Sequence, residues 1–343
     1  MYAHGATLDY TLAMCLLSCR FLCALLLMCG TLSPAWAIDQ ELHQSITHVA
    51  IADYRHCMGD ILGHTDLPDP EMLRIVEQGT AAEDNVTLAR LFNWHFYDFF
   101  RHDPVYAMKP GHSLHRIFHR RIDELREALR KGRERAFWEA GGRVLHYLQD
   151  MVVPAHIAPN YHVKPKTWWQ RIFVSNQPDA FDSLLDPRRL FFRLDDQTCR
   201  ILWQDQQAIF SRPHFTSNHE WEIFNQMLDE QAADTRQAIQ KIRLPNGDSL
   251  AQAFWHLRDP EQQGRGTKQG FAPYGRHVFS PGTPPCGKGK TDVCIAFLQR
   301  QYRQAMVLTV RTLMVLERLA KHAFTHDGSP LRQKPSGFSS AQW

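Results

Sequence analysis

An all-α fold is what this sequence predicts, on three observations. Apolar residues recur at three- and four-residue spacing through several long stretches, the pattern of amphipathic helices. No alternation of apolar and polar residues runs long enough to form a strand. The segment 292–324 is apolar enough to be a central helix. The elements follow in order. Residues 38–58 are amphipathic, and 71–79 make a short helix that closes at Gly79. From Ser113 to Lys131, SLHRIFHRRIDELREALRK places Leu114, Ile117, Phe118, Ile122, Leu125 and Leu129 on one face. Its charged residues read as a solvated face with i,i+4 pairs, and His112, His115 and His119 read as solvated with them. A helix from Arg135 to Asp150 is stopped by Pro154, and two more cover 219–243 and 292–324. Residues 163–217 mix Trp, Phe, Pro and Asp without clear periodicity and read as a loop-rich insertion. Residues 259–290 are rich in Gly, Pro and Lys, and 331–343 read as a disordered tail.

The chain's 343 residues suffice for a large core, and 22% charged residues is a globular value. A net charge of +3 is too small to argue for a nucleic-acid partner. The 19 histidines are the compositional oddity, since imidazole serves both metal binding and proton transfer.

From Met14 the chain reads MCLLSCRFLCALLLMCGTLSPAWA: one arginine, an apolar run, then small residues. That is the pattern of an export signal over residues 1–35, too short for a membrane span, with the start at Met1 or Met14 left open. Cleavage fits after Ala35 or after Ala37, and only the first makes Trp36 the new N-terminus. A secreted or periplasmic location follows. Beyond the signal lie Cys57, Cys199, Cys286 and Cys294, an even number that suggests two disulfides in an exported protein. Cys286 and Cys294 flank the turn-rich GKGKTDV and pair together, which pairs Cys57 with Cys199. The expected organisation is a signal over 1–35, a helical domain over 36–245 and a C-terminal extension over 246–330. The extension carries the disulfide loop and the long helix, docked on the bundle.

Residues 146–156 read HYLQDMVVPAH. His146 and Asp150 stand one helical turn apart, about 40° around the axis, so an imidazole and a carboxylate can share one cation. Pro154 then frees the chain, and His156 can turn back. Upstream, EDNVTLARLFNWHFYD at 83–98 offers Asp84 and His95. Near the signal, WAIDQELHQSITHVA offers Trp36, His43 and His48, with His43 read as a histidine packed on a helix face.

Together these stretches resemble the zinc-dependent phospholipases C and the related single-strand-specific nucleases. HYLQDMVVPAH has the H-x-x-x-D-x-x-x-P-x-H form, and HFYD preceded by Asp84 resembles the second signature. A chain beginning at Trp36 follows the third, in which the terminal amino group binds zinc. The matches span most of residues 36–182. The resemblance implies a multi-helix bundle around three zinc ions. Asp84, His95, His146 and Asp150 would hold one, and Asp150 would bridge to a second held by Trp36 and His48. His156 would begin the third, completed by His162 with Asp182 or, as the alternative, by His219 with Glu222. The function implied is a phospholipase C. Hydroxide generated on zinc would attack the glycerol-side phosphodiester of a phospholipid at a membrane surface, with Asp84 as base or water orienter. A nuclease of the same superfamily is the first alternative, although no basic-aromatic interleaving points to stable nucleic-acid binding. A non-catalytic exported metal-binding protein is the second.

Overall fold

Why this chain folds into a helical bundle is clearest at α4 (Glu134–Asp150), where Phe137, Trp138, Val144, Leu145 and Leu148 are buried. The computed structural model describes residues 40–83, 97, 114–157, 181, 193–211, 221–255, 277, 279–287 and 292–324. These all belong to one unit, formed by 36–161 with 179–343. Among the described residues the fold is all-α, broken only by an isolated bridge between Arg243 and Ser249.

The helices start and stop for local reasons. α1 (Gln40–Arg55) runs into a π-helical turn, His56–Ile61, and ends at Gly63 with φ 72°. α2 (Pro70–Ala82) begins with proline in its first turn, and the Asp69 side chain accepts from the Glu71 N–H. It runs through Gly79, where the sequence suggested a stop, because that glycine is a contact point and not a cap. α3 (Leu114–Arg130) closes on Gly132, φ 64°, with the Arg133 N–H returning to the Ala128 carbonyl. α5 is the single turn Pro154–Ile157 that carries His156. α6 (Asp196–Phe210), capped by Asp195, lies inside the stretch that showed no periodicity. Its buried face is short and mixed (Cys199, Leu202, Gln206, Ile209), which dilutes the apolar signal. α7 is Glu222–Lys241. A second π turn, Ala251–Trp255, follows it, and α8 is Val293–Phe324.

α8 is the central helix: Leu313, Met314, Val315 and Leu316 are all buried, so neighbours surround it on every side. It docks on the bundle, with Leu316 against Gly141 of α4 and Glu317 accepting from the Tyr54 hydroxyl of α1 at 2.6 Å. Both expected disulfides are present, Cys57–Cys199 and Cys286–Cys294. Among the described residues no helix is long and apolar enough to cross a membrane. His115, expected in solvent, is instead buried with its ring 4.7 Å from that of Tyr97, because it shares the inner face of α3 with Phe118 and Ile122, three and seven residues on. His119 does lie on the exposed face.

The packing that matters most for the site is between α2 and α4. Their backbones touch at Gly79 and Gly142: a Cβ on Gly142 would lie 2.2 Å from the Val76 carbonyl oxygen, and one on Gly79 2.5 Å from that of Glu139. Only glycine permits this approach. It brings the Thr80 carbonyl, one residue past Gly79, within hydrogen-bond distance of His146.

Candidate metal centre

Asp150 ends α4 fully buried, and three histidines surround its carboxylate. His43 Nε2 lies 3.3 Å from Oδ1, His146 Nε2 3.5 Å from Oδ2, and His156 Nε2 3.5 Å from Oδ1. All three histidines are fully buried. The His43 and His146 rings are 4.1 Å apart. Each residue arrives by a different route: His43 from the inner face of α1, His146 from one turn before Asp150, and His156 from the turn that Pro154 starts.

The hydrogen bonds behind the rings define which nitrogen carries the proton. His146 Nδ1 is 3.0 Å from the Thr80 carbonyl oxygen, which can only accept, so Nδ1 is protonated. His43 Nδ1 lies 2.7 Å from Gln149 Oε1. The Gln149 amide is oriented by donating from Nε2 to the Thr47 and Thr309 hydroxyls, both at 3.0 Å. Those hydroxyls donate onward, Thr309 to the Ala305 carbonyl and Thr47 to Thr80 Oγ1, which donates to the Glu77 carbonyl. Gln149 Oε1 therefore accepts from His43 Nδ1 as well. In their neutral forms both rings present Nε2 lone pairs to a carboxylate.

Lone pairs facing a carboxylate repel it unless positive charge lies between them. One proton, on one ring or on the carboxyl itself, would satisfy one of these two contacts and leave the other opposed. Two protons would place two imidazolium rings 4.1 Å apart in a buried site, at high electrostatic cost. A cation shared by the rings and the carboxylate makes every contact favourable. His43, His146 and Asp150 offer ligand atoms all within 4.8 Å of one another, and the group can hold a metal ion. The donor set is imidazole and carboxylate with the second ring nitrogen tied down, as in metal sites generally. A second cluster, Cys286, Asp292 and Cys294, does not qualify, because its sulfurs are joined to each other.

Around the centre, Tyr97 from HFYD donates its backbone N–H to the His156 carbonyl at 2.9 Å and its hydroxyl to Asp229 at 2.7 Å. Behind His146, Tyr147 stands edge-on to its ring at 5.1 Å and donates its hydroxyl to Glu83, 2.7 Å away. Arg121 pairs with the same buried Glu83 at 2.6 Å. Burial alone would lower the Arg121 pKa, but the facing Glu83 and Glu124 carboxylates hold it above its ordinary value.

Of the residues that the sequence singled out, the structure brings His146, Asp150 and His156 together. It does not bring His48 to them. His48 is three-quarters exposed and lies 3.2 Å from Glu77. Five residues along α1 rotate a side chain about 140°, so His48 and His43 cannot face the same way, and His43 occupies the inner side. Trp36, Asp84, His95, His162, Asp182 and His219 lie outside the described residues. Glu222 is exposed in the first turn of α7. Sequence reasoning passed over His43 as a ligand and gave Gln149 no role. The available signal was that His43 shares a helix face with Ile46, Ala50 and Tyr54, all buried.

No family model, curated protein or solved structure matches the chain.

Proposed function

We propose that this protein is an exported zinc-dependent phosphodiesterase of phospholipase C type, acting on the glycerol-side phosphodiester of phospholipids at a membrane surface. The convergence of His43, His146 and His156 on the buried Asp150 carboxylate supports the metal centre, and the resemblance of HYLQDMVVPAH and HFYD to the zinc-dependent phospholipases C supports the reaction. Two disulfides support the exported location, since such bonds persist in oxidising compartments.

In this reading Asp150 and the rings of His43 and His146 hold zinc, and His156 opens a further site on the same carboxylate. Bound zinc supplies a Lewis acid for the phosphate oxygens and lowers the pKa of water towards neutrality. The chain itself holds the ligands still. Thr80 and Gln149 set the His146 and His43 rings, and the Tyr97 N–H anchors the turn that carries His156. Asp84, directly after the buried Glu83, is the residue we assign as water orienter, on the resemblance described above.

The test compares headgroup release from phosphatidylcholine vesicles with digestion of single-stranded DNA, each with and without a chelator. Chelator-sensitive headgroup release supports the proposal. Activity on DNA alone would replace it with the nuclease reading. Inactivity on both, with zinc still bound, would make the protein a metal-binding protein without catalysis.

A further inference from the structure

We infer that Gln149 is a positioning residue that fixes His43 in its metal-binding tautomer and makes the C-terminal helix α8 part of the site. The inference rests on the metal-binding reading above. Three features of Gln149 lead to it.

The side chain is fully buried, where an amide is costly unless its hydrogen bonds are made. Its three bonds are made to two other helices: His43 and Thr47 on α1, and Thr309 on α8. Each bond has a definite direction, because both threonines pass their own protons on. The amide therefore cannot turn over without setting its NH2 group against His43 Nδ1–H and its oxygen against two hydroxyls already committed elsewhere. With the oxygen held towards His43, the ring carries its proton on Nδ1 and offers Nε2 to Asp150.

The same relay reaches the other ring. Thr47 donates to the Thr80 hydroxyl, and the Thr80 carbonyl accepts from His146 Nδ1. Gln149 is thus the junction of a buried network that orients two candidate ligands, next in sequence to a third, while making no contact of its own with the cation position. This gives the long C-terminal helix a task that its packing alone does not explain. Thr309 is the end stop that sets the Gln149 amide.

The experiment measures zinc affinity by chelator competition on the full chain and the His43 tautomer by nitrogen–proton correlation on histidine-labelled protein. The variants are Gln149→Met, Gln149→Glu, Thr309→Val and Tyr54→Phe. Gln149→Met should weaken zinc roughly 10–100-fold, the usual consequence of losing an outer partner of a metal-bound histidine. It should also shift His43 away from the Nδ1-protonated form. Gln149→Glu should keep His43 in the Nδ1-protonated form, because a carboxylate oxygen still accepts from that nitrogen. Tyr54→Phe breaks another buried bond between α1 and α8 and should lower stability while leaving zinc affinity unchanged. Wild-type affinity and tautomer in Gln149→Met would overturn the inference. If that variant does not fold, Thr309→Val decides: several-fold weaker zinc supports the inference and unchanged zinc overturns it. A wild-type chain that takes up no zinc at all has a different signature and would overturn the metal reading, and the positioning role with it.

Discussion

Replacing Gly142 by alanine should damage stability and metal binding together. In an exposed helix the change would be favourable by about 1 kcal/mol from helix propensity. Here the new Cβ would lie 2.2 Å from the Val76 carbonyl oxygen, 2.9 Å from Gly79 Cα and 3.0 Å from the Thr80 nitrogen. All three are backbone atoms, so no side-chain rotation relieves the overlap. Ordinary contact begins at 3.4 Å, and α2 would have to retreat from α4 by roughly 1 Å. Overpacking of this kind costs about 1–3 kcal/mol. The retreat also stretches the 3.0 Å bond between Thr80 and His146, worth about 1 kcal/mol. With the propensity gain subtracted, the net loss is about 2 kcal/mol, and zinc affinity falls because His146 loses its orienting acceptor. Gly141→Ala is the control. Its Cβ meets side-chain atoms of Leu316, the nearest at 2.7 Å, and no backbone of α2, so it leaves the Thr80–His146 contact in place. Chemical denaturation and chelator competition read both effects. A Gly142→Ala protein that unfolds at the wild-type midpoint and binds zinc as tightly would mean that the α2–α4 contact does not position His146.

Further outcomes follow from the same contacts. Asp150→Asn removes the carboxylate shared by the three rings and should abolish zinc retention and any hydrolysis; metal analysis showing full occupancy would count against it. Arg121→Ala leaves the buried Glu83 without its cation and should cost about 3 kcal/mol, with part recovered by adding Glu83→Gln; a double-mutant cycle with no coupling would contradict this. Asp53 is buried, which pushes its carboxyl above 3.8 despite the Leu194 N–H, Arg193 and His56. The folded chain thus holds this proton to higher pH than the unfolded chain. Its contribution is full below pH 3.8 and is lost as pH rises through the folded value. Asp53→Asn should therefore be at least as stable as wild type at neutral pH and gain nothing in acid; unfolding curves with the opposite order would refute the sign.

The parts of this protein that announce themselves in sequence are those governed by local periodicity. α3 and α4 follow from apolar spacing and from the Pro154 stop, and His146 and Asp150 share a face because four residues make about one turn. The cysteine pairs follow from parity and a short turn-rich loop. What was missed depends on contacts between distant segments. Gly79 looks like a helix stop until Gly142 is seen against it. His43 reads as packed and His48 as a ligand until α4 shows which face of α1 is inside. Burial, taken as a sign that His43 is merely packed, is what qualifies it as a partner of Asp150. α6 shows no clear periodicity in sequence because its buried face holds a disulfide cysteine and a glutamine among few aliphatic residues.

His43, His146 and Asp150 are expected to hold a zinc ion. Anomalous diffraction collected on either side of the zinc absorption edge, from crystals of the purified full chain, tests it most directly. A peak is expected about 2.0–2.2 Å from the Nε2 atoms of His43 and His146 and from an Asp150 oxygen, present above the edge and absent below it. Zinc bound at His48 and Glu77, or no edge-dependent peak at Asp150 in zinc-supplied crystals, would contradict it.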